Sequence, residues 1–112
     1  MKVMPVVSPF GSATRTRVLL ALTLLSESYA RELARFLDLN LSPVQRAIRS
    51  LEADGLVAGR AVGRTRVYQV NPRAPAGEEL RRYLSALLEL HPELRGRGAT
   101  LRRRPRRTGK PL

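Results

Sequence analysis

The chain has no cysteine and no tryptophan, a single histidine, and only two Phe and three Tyr in 112 residues. The first absence excludes disulfides, thiolate metal sites and cysteine nucleophiles. With His91 as the sole histidine, no histidine cluster is available for zinc. Aromatics at 4% against a hydrophobic fraction of 43% mean that a core must be built from Leu, Val, Ile and Ala. Long apolar runs are also missing: residues 18–25 are the longest stretch, interrupted by Thr23, whereas a bilayer span needs about 20. Residues 1–7 are too short and too proline-punctuated for a signal peptide. No membrane partner is expected, and a cytoplasmic, nucleoid-associated location is the default. There is no carboxylate pair and no Ser-His-Asp set. Residues 59–65 lack the Lys-Ser/Thr ending of a phosphate loop and do not precede a helix. The sequence therefore predicts no enzymatic activity, no cofactor and no metal.

Acidic residues are scarce too, 9 against 21 Lys and Arg, for a net charge of +12 and an isoelectric point near 11.7. Such a balance favours a polyanionic partner, nucleic acid or an anionic surface. Only Lys2 and Lys110 are lysines, an arginine bias that genomic base composition alone can produce. From Arg95 onward eight basic residues stand without an acidic one, so residues 95–112 hold +8 of the total. With Gly96, Gly98, Pro105, Gly109 and Pro111 among them, this tail is expected to be disordered. It can grip phosphates, meet an acidic partner, or simply solubilise the chain.

One stretch, residues 40–57, organises the rest. Ser42 is a good N-cap, Pro43 suits the first helical position, and Gln45 has the capping-box spacing. Gly55 closes the helix where a left-handed residue is needed. Val44, Ala47, Ile48 and Leu51 make an apolar stripe at helical spacing. Gln45, Arg46, Arg49 and Ser50 are left outside, able to donate to base edges and phosphates, although solvated charges on an ordinary amphipathic helix share the pattern.

Before it, Ser12 can cap a helix from Ala13 to Leu25 whose apolar residues cover most of the circumference, the mark of a central helix. Arg15 and Arg17 lie in its first turn, against the helix dipole; an anion would relieve that conflict, and so would solvent. Phe10 and the N-terminal valines are expected to pack on the body. Ser28 can cap a second helix, residues 29–37, linked to the organising helix by residues 38–41. Two short helices joined this way, the second with a polar outer face, form a helix-turn-helix pattern. After Gly55 the period becomes extended. Residues 56–62 and 65–70 flank Gly63-Arg64, which suits a type II′ hairpin. Arg60, Arg64 and Arg66 crowd toward one end of it, with no acidic neighbour in sequence. A last helix, residues 78–90, presents Leu80, Tyr83, Leu84, Leu87, Leu88 and Leu90, either closing the core or meeting another subunit.

The order helix, helix, helix, basic hairpin, helix resembles a winged helix-turn-helix DNA-binding domain. The residues carrying the match run from Phe10-Gly11-Ser12 to Val70-Asn71-Pro72. Its specific parts are Tyr29-Ala30-Arg31-Glu32-Leu33-Ala34-Arg35, residues 44–52, Asp54-Gly55-Leu56-Val57 and the hairpin residues 60–68. It is similar to the ArsR-type family of bacterial and archaeal transcriptional regulators over the first two thirds of the chain. The resemblance implies a mostly α fold with a small β-hairpin (α+β) and an additional C-terminal helix. It implies recognition-helix contacts from Ser42, Pro43, Gln45, Arg46 and Arg49, and wing contacts from Arg60, Arg64 and Arg66. Gln45 and Arg46 are the candidates for base readout, since Gln suits adenine and Arg suits guanine. Arg49 and the wing arginines are assigned to phosphate. Homodimers through terminal helices are common in the family, which makes Leu80, Tyr83, Leu84, Leu87 and Leu88 the implied interface. Two recognition helices would then meet half-sites one DNA turn, ~34 Å, apart. Metal-sensing members use Cys and His clusters that this chain lacks.

The expected organisation is an arm at 1–11, a DNA-binding domain at 12–72 with recognition helix 43–54 and wing 56–70, a C-terminal helix region at 73–92, and a basic tail at 93–112. The leading reading is a homodimeric, sequence-specific regulator of double-stranded DNA, a repressor. Two others compete: a winged-helix module that holds a partner enzyme such as a nucleotidyltransferase, and a nonspecific architectural nucleic-acid-binding protein.

Overall fold

The computed structural model describes residues 8–103. Five helices and three short strands follow in order: α1 Ala13–Leu25, β1 Ser28–Tyr29, α2 Ala30–Leu37, α3 Leu41–Ala53, β2 Val57–Val62, β3 Thr65–Val70, α4 Gly77–Leu88 and α5 Pro92–Arg103. Helix α1 begins where the sequence says it should. The Ser12 hydroxyl accepts from the Arg15 backbone N–H at 3.1 Å, satisfying one of the orphan donors of the first turn. Val18, Leu19, Leu20, Ala21 and Leu22 are all buried, so five consecutive residues of one helix face protein. This is possible because α1 touches α2, α3, α4, α5 and β3 at once.

The core around α1 is aliphatic except for Phe36, as the composition required. Each fully buried Leu or Val there is worth about 1.5–3 kcal/mol relative to exposure. Phe10 packs against this core and meets Tyr83 edge-on, ring centroids 5.9 Å apart. The N-terminal valines lie outside the described residues.

Helices α2 and α3 end by the same device. At the end of α2, Asp38 takes a left-handed φ of +58° and Leu39 N–H donates back to Ala34 O at 2.9 Å. At the end of α3, Gly55 has φ +81°, its N–H donates to Glu52 O, and Leu56 N–H reaches Leu51 O. Both are Schellman closures; aspartate tolerates the left-handed region better than most L-residues do, and glycine without cost. The first reverses the chain between the two helices, and the second launches the hairpin.

Two N-caps fall elsewhere than expected. Helix α3 starts at Leu41, with Asn40 as its cap rather than Ser42. Leu41 packs against the core, which draws the start of the helix earlier. Pro43 thus occupies the third helical position, where an N–H would lack an intrahelical partner anyway. Ser28 does not cap α2. It is in β1, buried, with its hydroxyl donating to the Glu32 carboxylate, and Tyr29 stands at the cap without a side-chain bond.

The hairpin pairs Val57 with Val70 through to Val62 with Thr65, leaving Gly63 and Arg64 as its two turn residues. Only Gly63 has positive φ (+62°), the type II′ requirement. A third strand joins it: β1 pairs antiparallel with β3, in the order β1-β3-β2. Two residues, Ser28 and Tyr29, carry no readable alternation, so the sequence predicts only a hairpin where the fold has a three-stranded sheet.

Helix α4 stops at Leu88, short of Leu90, which is exposed. The segment expected to begin a disordered tail is instead helical as far as Arg103. Leu94 is buried in the core, Arg97 donates to Phe36 O at 2.7 Å, and Arg95 pairs with Glu89. Composition marks this stretch as solvated; one leucine seated on α1 and an arginine on the last turn of α2 hold it to the body. Residues 104–112 lie outside the described residues. No described helix is long and apolar enough to cross a membrane.

Candidate nucleic-acid interface

In α3, side chains advance by about 100° per residue. Ser42, Gln45, Arg46 and Arg49 therefore share one narrow face, opposite Val44, Ala47, Ile48 and Leu51. The structure exposes the first four and buries the second four. Pro43 is half-buried at the edge of the exposed strip.

Both flanks of the strip are tied down. On one side Arg15 of α1 sends its guanidinium to Asp54 at 2.6 Å and to the Ser50 hydroxyl, while its Nε donates to Phe10 O. The cation at the wrong end of α1 is thus compensated by a carboxylate from α3, and Arg15 positions the helix rather than facing outward. On the other side, Glu52 accepts from Arg66 of the wing at 3.3 Å.

The wing residues separate by strand register. Arg66 lies opposite Ala61 and Tyr68 opposite Gly59, on the sheet face turned toward α3. The Arg66 guanidinium is 6.0 Å from the centre of the Tyr68 ring. A Cβ on Gly59 would come within 2.9 Å of that ring and 3.0 Å of Arg66 Nε, so glycine is what lets both lie against the strand. Arg60 lies opposite Val67, on the other face, and pairs with Glu27 at 2.7 Å. The expectation of three arginines together without acidic neighbours is corrected here. One points away from the rest, and two have carboxylate partners brought in from α3 and the α1–β1 turn. Strand alternation puts residues 60 and 66 on opposite faces across a two-residue turn.

Arg64, at the turn itself, makes no ion pair among the described residues; the same holds for Arg46 and Arg49 on α3 and Arg31 on α2. Between wing and helices lies a cleft of about 340 Å³ lined by Arg31, Gln45, Arg64, Arg66 and the rings of Tyr29 and Tyr68. No carboxylate lines it. Arg31 is the site residue the sequence reading passes over. Its place in the first turn of α2, beside a short strand that holds that turn against β3, is a tertiary fact. Val62, at the wing tip, is 49% exposed.

The five residues of the implied dimer face divide differently. Leu84, Leu87 and Leu88 are buried in the chain's own core, and Leu80 packs partly against it. Tyr83 alone is exposed. Among the described residues, no group of three His, Cys, Asp or Glu is placed to hold a metal.

A family model described as winged helix-turn-helix DNA-binding matches residues 30–58, which run from the first residue of α2 into β2. No curated protein matches the chain. Among solved structures, a mutant of Lactococcus lactis ZitR in apo form is 18% identical, with a TM-score of 0.52 over 74% of this chain and 66% of that one. A second structure of that mutant is 17% identical, with a TM-score of 0.54 over 84% and 67%. The chain spans about two thirds of the length of both. At such identity the likeness concerns architecture, and the architecture is a winged helix-turn-helix whose residues 30–58 match the DNA-binding model.

Proposed function

We propose that the protein is a sequence-specific double-stranded-DNA-binding transcriptional regulator, a homodimeric repressor of the ArsR type. The observation that carries this reading is the exposed α3 face of Ser42, Gln45, Arg46 and Arg49, flanked through Gln45 by a cleft whose lining holds Arg31 and Arg64 and no carboxylate. An exposed helix of this kind enters the major groove, where Gln45 and Arg46 have the donors to read base edges. Arg31, Arg49 and Arg64 bind phosphate on either side, with Arg66 joining them from its pair with Glu52. Arg60 is assigned to holding the wing through Glu27, a change from its expected role. Dimerisation uses the apolar residues left accessible beside α4, Tyr83 and Leu90, with Leu80 beneath.

In vitro selection from random duplex DNA at near-physiological salt tests this directly. An enriched motif with two related half-sites is the expected result. Binding without enrichment would establish the architectural alternative, and absence of binding would point to the partner-enzyme module.

Two further outcomes are expected on the selected DNA. Glu52→Gln removes a negative charge from the edge of the surface and releases Arg66, so affinity rises about two- to fivefold at low salt and the salt slope steepens by about 0.9. Fluorescence anisotropy across a salt series checks both, and an unchanged slope would show that Arg66 meets no phosphate. Truncation after Arg103 preserves α5 but removes four cations. Affinity should fall on every sequence, with the salt slope shallower by up to about 4. The same slope in the truncated chain would make residues 104–112 bystanders.

A further inference from the structure

A second cleft, of about 280 Å³, lies away from α3, where the end of α1 meets the end of β3 and the first turns of α4. Its floor is Leu22 and Val70, and its walls carry Thr23, Ser26, Gln69 and Ser85 with one charged group, Arg81. The Arg81 side chain makes no ion pair or hydrogen bond among the described residues. Glu78, about one turn back on the same helix, is turned to Arg82 at 3.7 Å. Gln69 and Ser85 likewise make no side-chain hydrogen bond among the described residues. Thr23 donates its hydroxyl to Leu19 O and retains its acceptor capacity.

The rim is held in an unusual shape. Ser26 has φ +71° and ψ −54°, and Glu27 N–H bonds to Leu25 O at 2.8 Å. That is a γ-turn of the rare, strained kind, a conformation L-residues seldom adopt, and it sets Ser26 on the cleft.

We infer that this cleft binds a small organic monocarboxylate with a compact apolar body. A planar guanidinium without a counterion matches a carboxylate bidentately. The hydroxyl and amide groups around it can take up remaining hydrogen bonds, and the Leu22–Val70 floor accepts an apolar ring or short chain. A phosphate or a dianion fits less well, since one cation serves the site and its floor is apolar.

The probe is benzoate, with benzamide as its uncharged isostere, added to the full-length, isotope-labelled protein and followed by backbone-amide NMR. Benzoate should give saturable shifts at residues 22–26, 69–70 and 81–85, with a dissociation constant on the order of 1 mM. Benzamide should bind about tenfold more weakly. Arg81→Gln, at an exposed position, should keep the melting temperature of the free protein and weaken benzoate about fivefold or more. Three results would overturn the assignment: no saturation up to about 10 mM, equal affinity in Arg81→Gln, or shifts centred on Arg31 and Arg64. Benzoate binding is read without DNA, so its outcome is separate from that of the DNA-binding reading.

Discussion

Replacing Arg46 with alanine is expected to lower affinity for the selected operator by about 5- to 150-fold, the equivalent of 1–3 kcal/mol, while binding to random DNA weakens far less. Arg46 is exposed, unpaired among the described residues, and central to the α3 strip, with Gln45 and Arg49 beside it. On the proposed reading, a guanidinium there is available to the N7 and O6 acceptors of guanine, and a helix seated by its flanks would hold it in one register. Arg15 on Asp54 and Arg66 on Glu52 provide that seating. Arg49→Ala is the internal comparison: a phosphate contact should cost the same on every sequence and flatten the salt slope by about 0.9. Competition binding with operator and scrambled duplexes gives the answer. Equal losses on both duplexes for Arg46→Ala would reject it as a base reader.

Leu84→Ala is expected to destabilise the folded chain by about 2–5 kcal/mol, lowering the melting temperature by roughly 10–20 °C. Leu84 is fully buried, and α4 packs on α1 beside Leu87 and Leu88. Shortening it leaves a cavity that a close-packed aliphatic core relaxes into only partly. Since small domains hold only about 5–15 kcal/mol in total, the loss is a large fraction of stability. Thermal unfolding at several protein concentrations separates core from interface. A fall that is independent of concentration is expected. An unchanged monomer that merely dissociates from its partner would return Leu84 to the dimer face that the family resemblance implies. Tyr83→Ala is the complementary variant, because its ring is 45% exposed and meets Phe10 edge-on.

Much of the architecture of the candidate surface was legible in the sequence. The exposed and buried sets of α3 follow from the 3.6-residue period, and Gly55 and Gly63 mark the places where the backbone must adopt positive φ. Composition required an aliphatic core, and the circumference of α1 marked it as central. What failed was local signal too short or too weak to compete with packing. Two residues cannot show strand alternation, so β1 was invisible. Asn40 and Ser42 are comparable N-cap residues, and the packing of Leu41 against the core decides between them. Arginine and glycine content made residues 93–103 look solvated, and a single buried leucine, Leu94, was not enough to contradict that in sequence.

By itself, then, the sequence determined the helical and extended periods, the turn positions, the aliphatic core and the excess of positive charge, because each depends on neighbours within a few residues. The tertiary structure decided which of those charges remain free. Arg15, Arg60 and Arg66 acquire carboxylates 39, 33 and 14 positions away in the chain, while Arg31 is brought to the cleft beside Gln45 and Arg64. Pairing across such separations depends on how helices and sheet pack. A side chain's identity says what it can bind; only the fold says whether something in the same molecule already binds it.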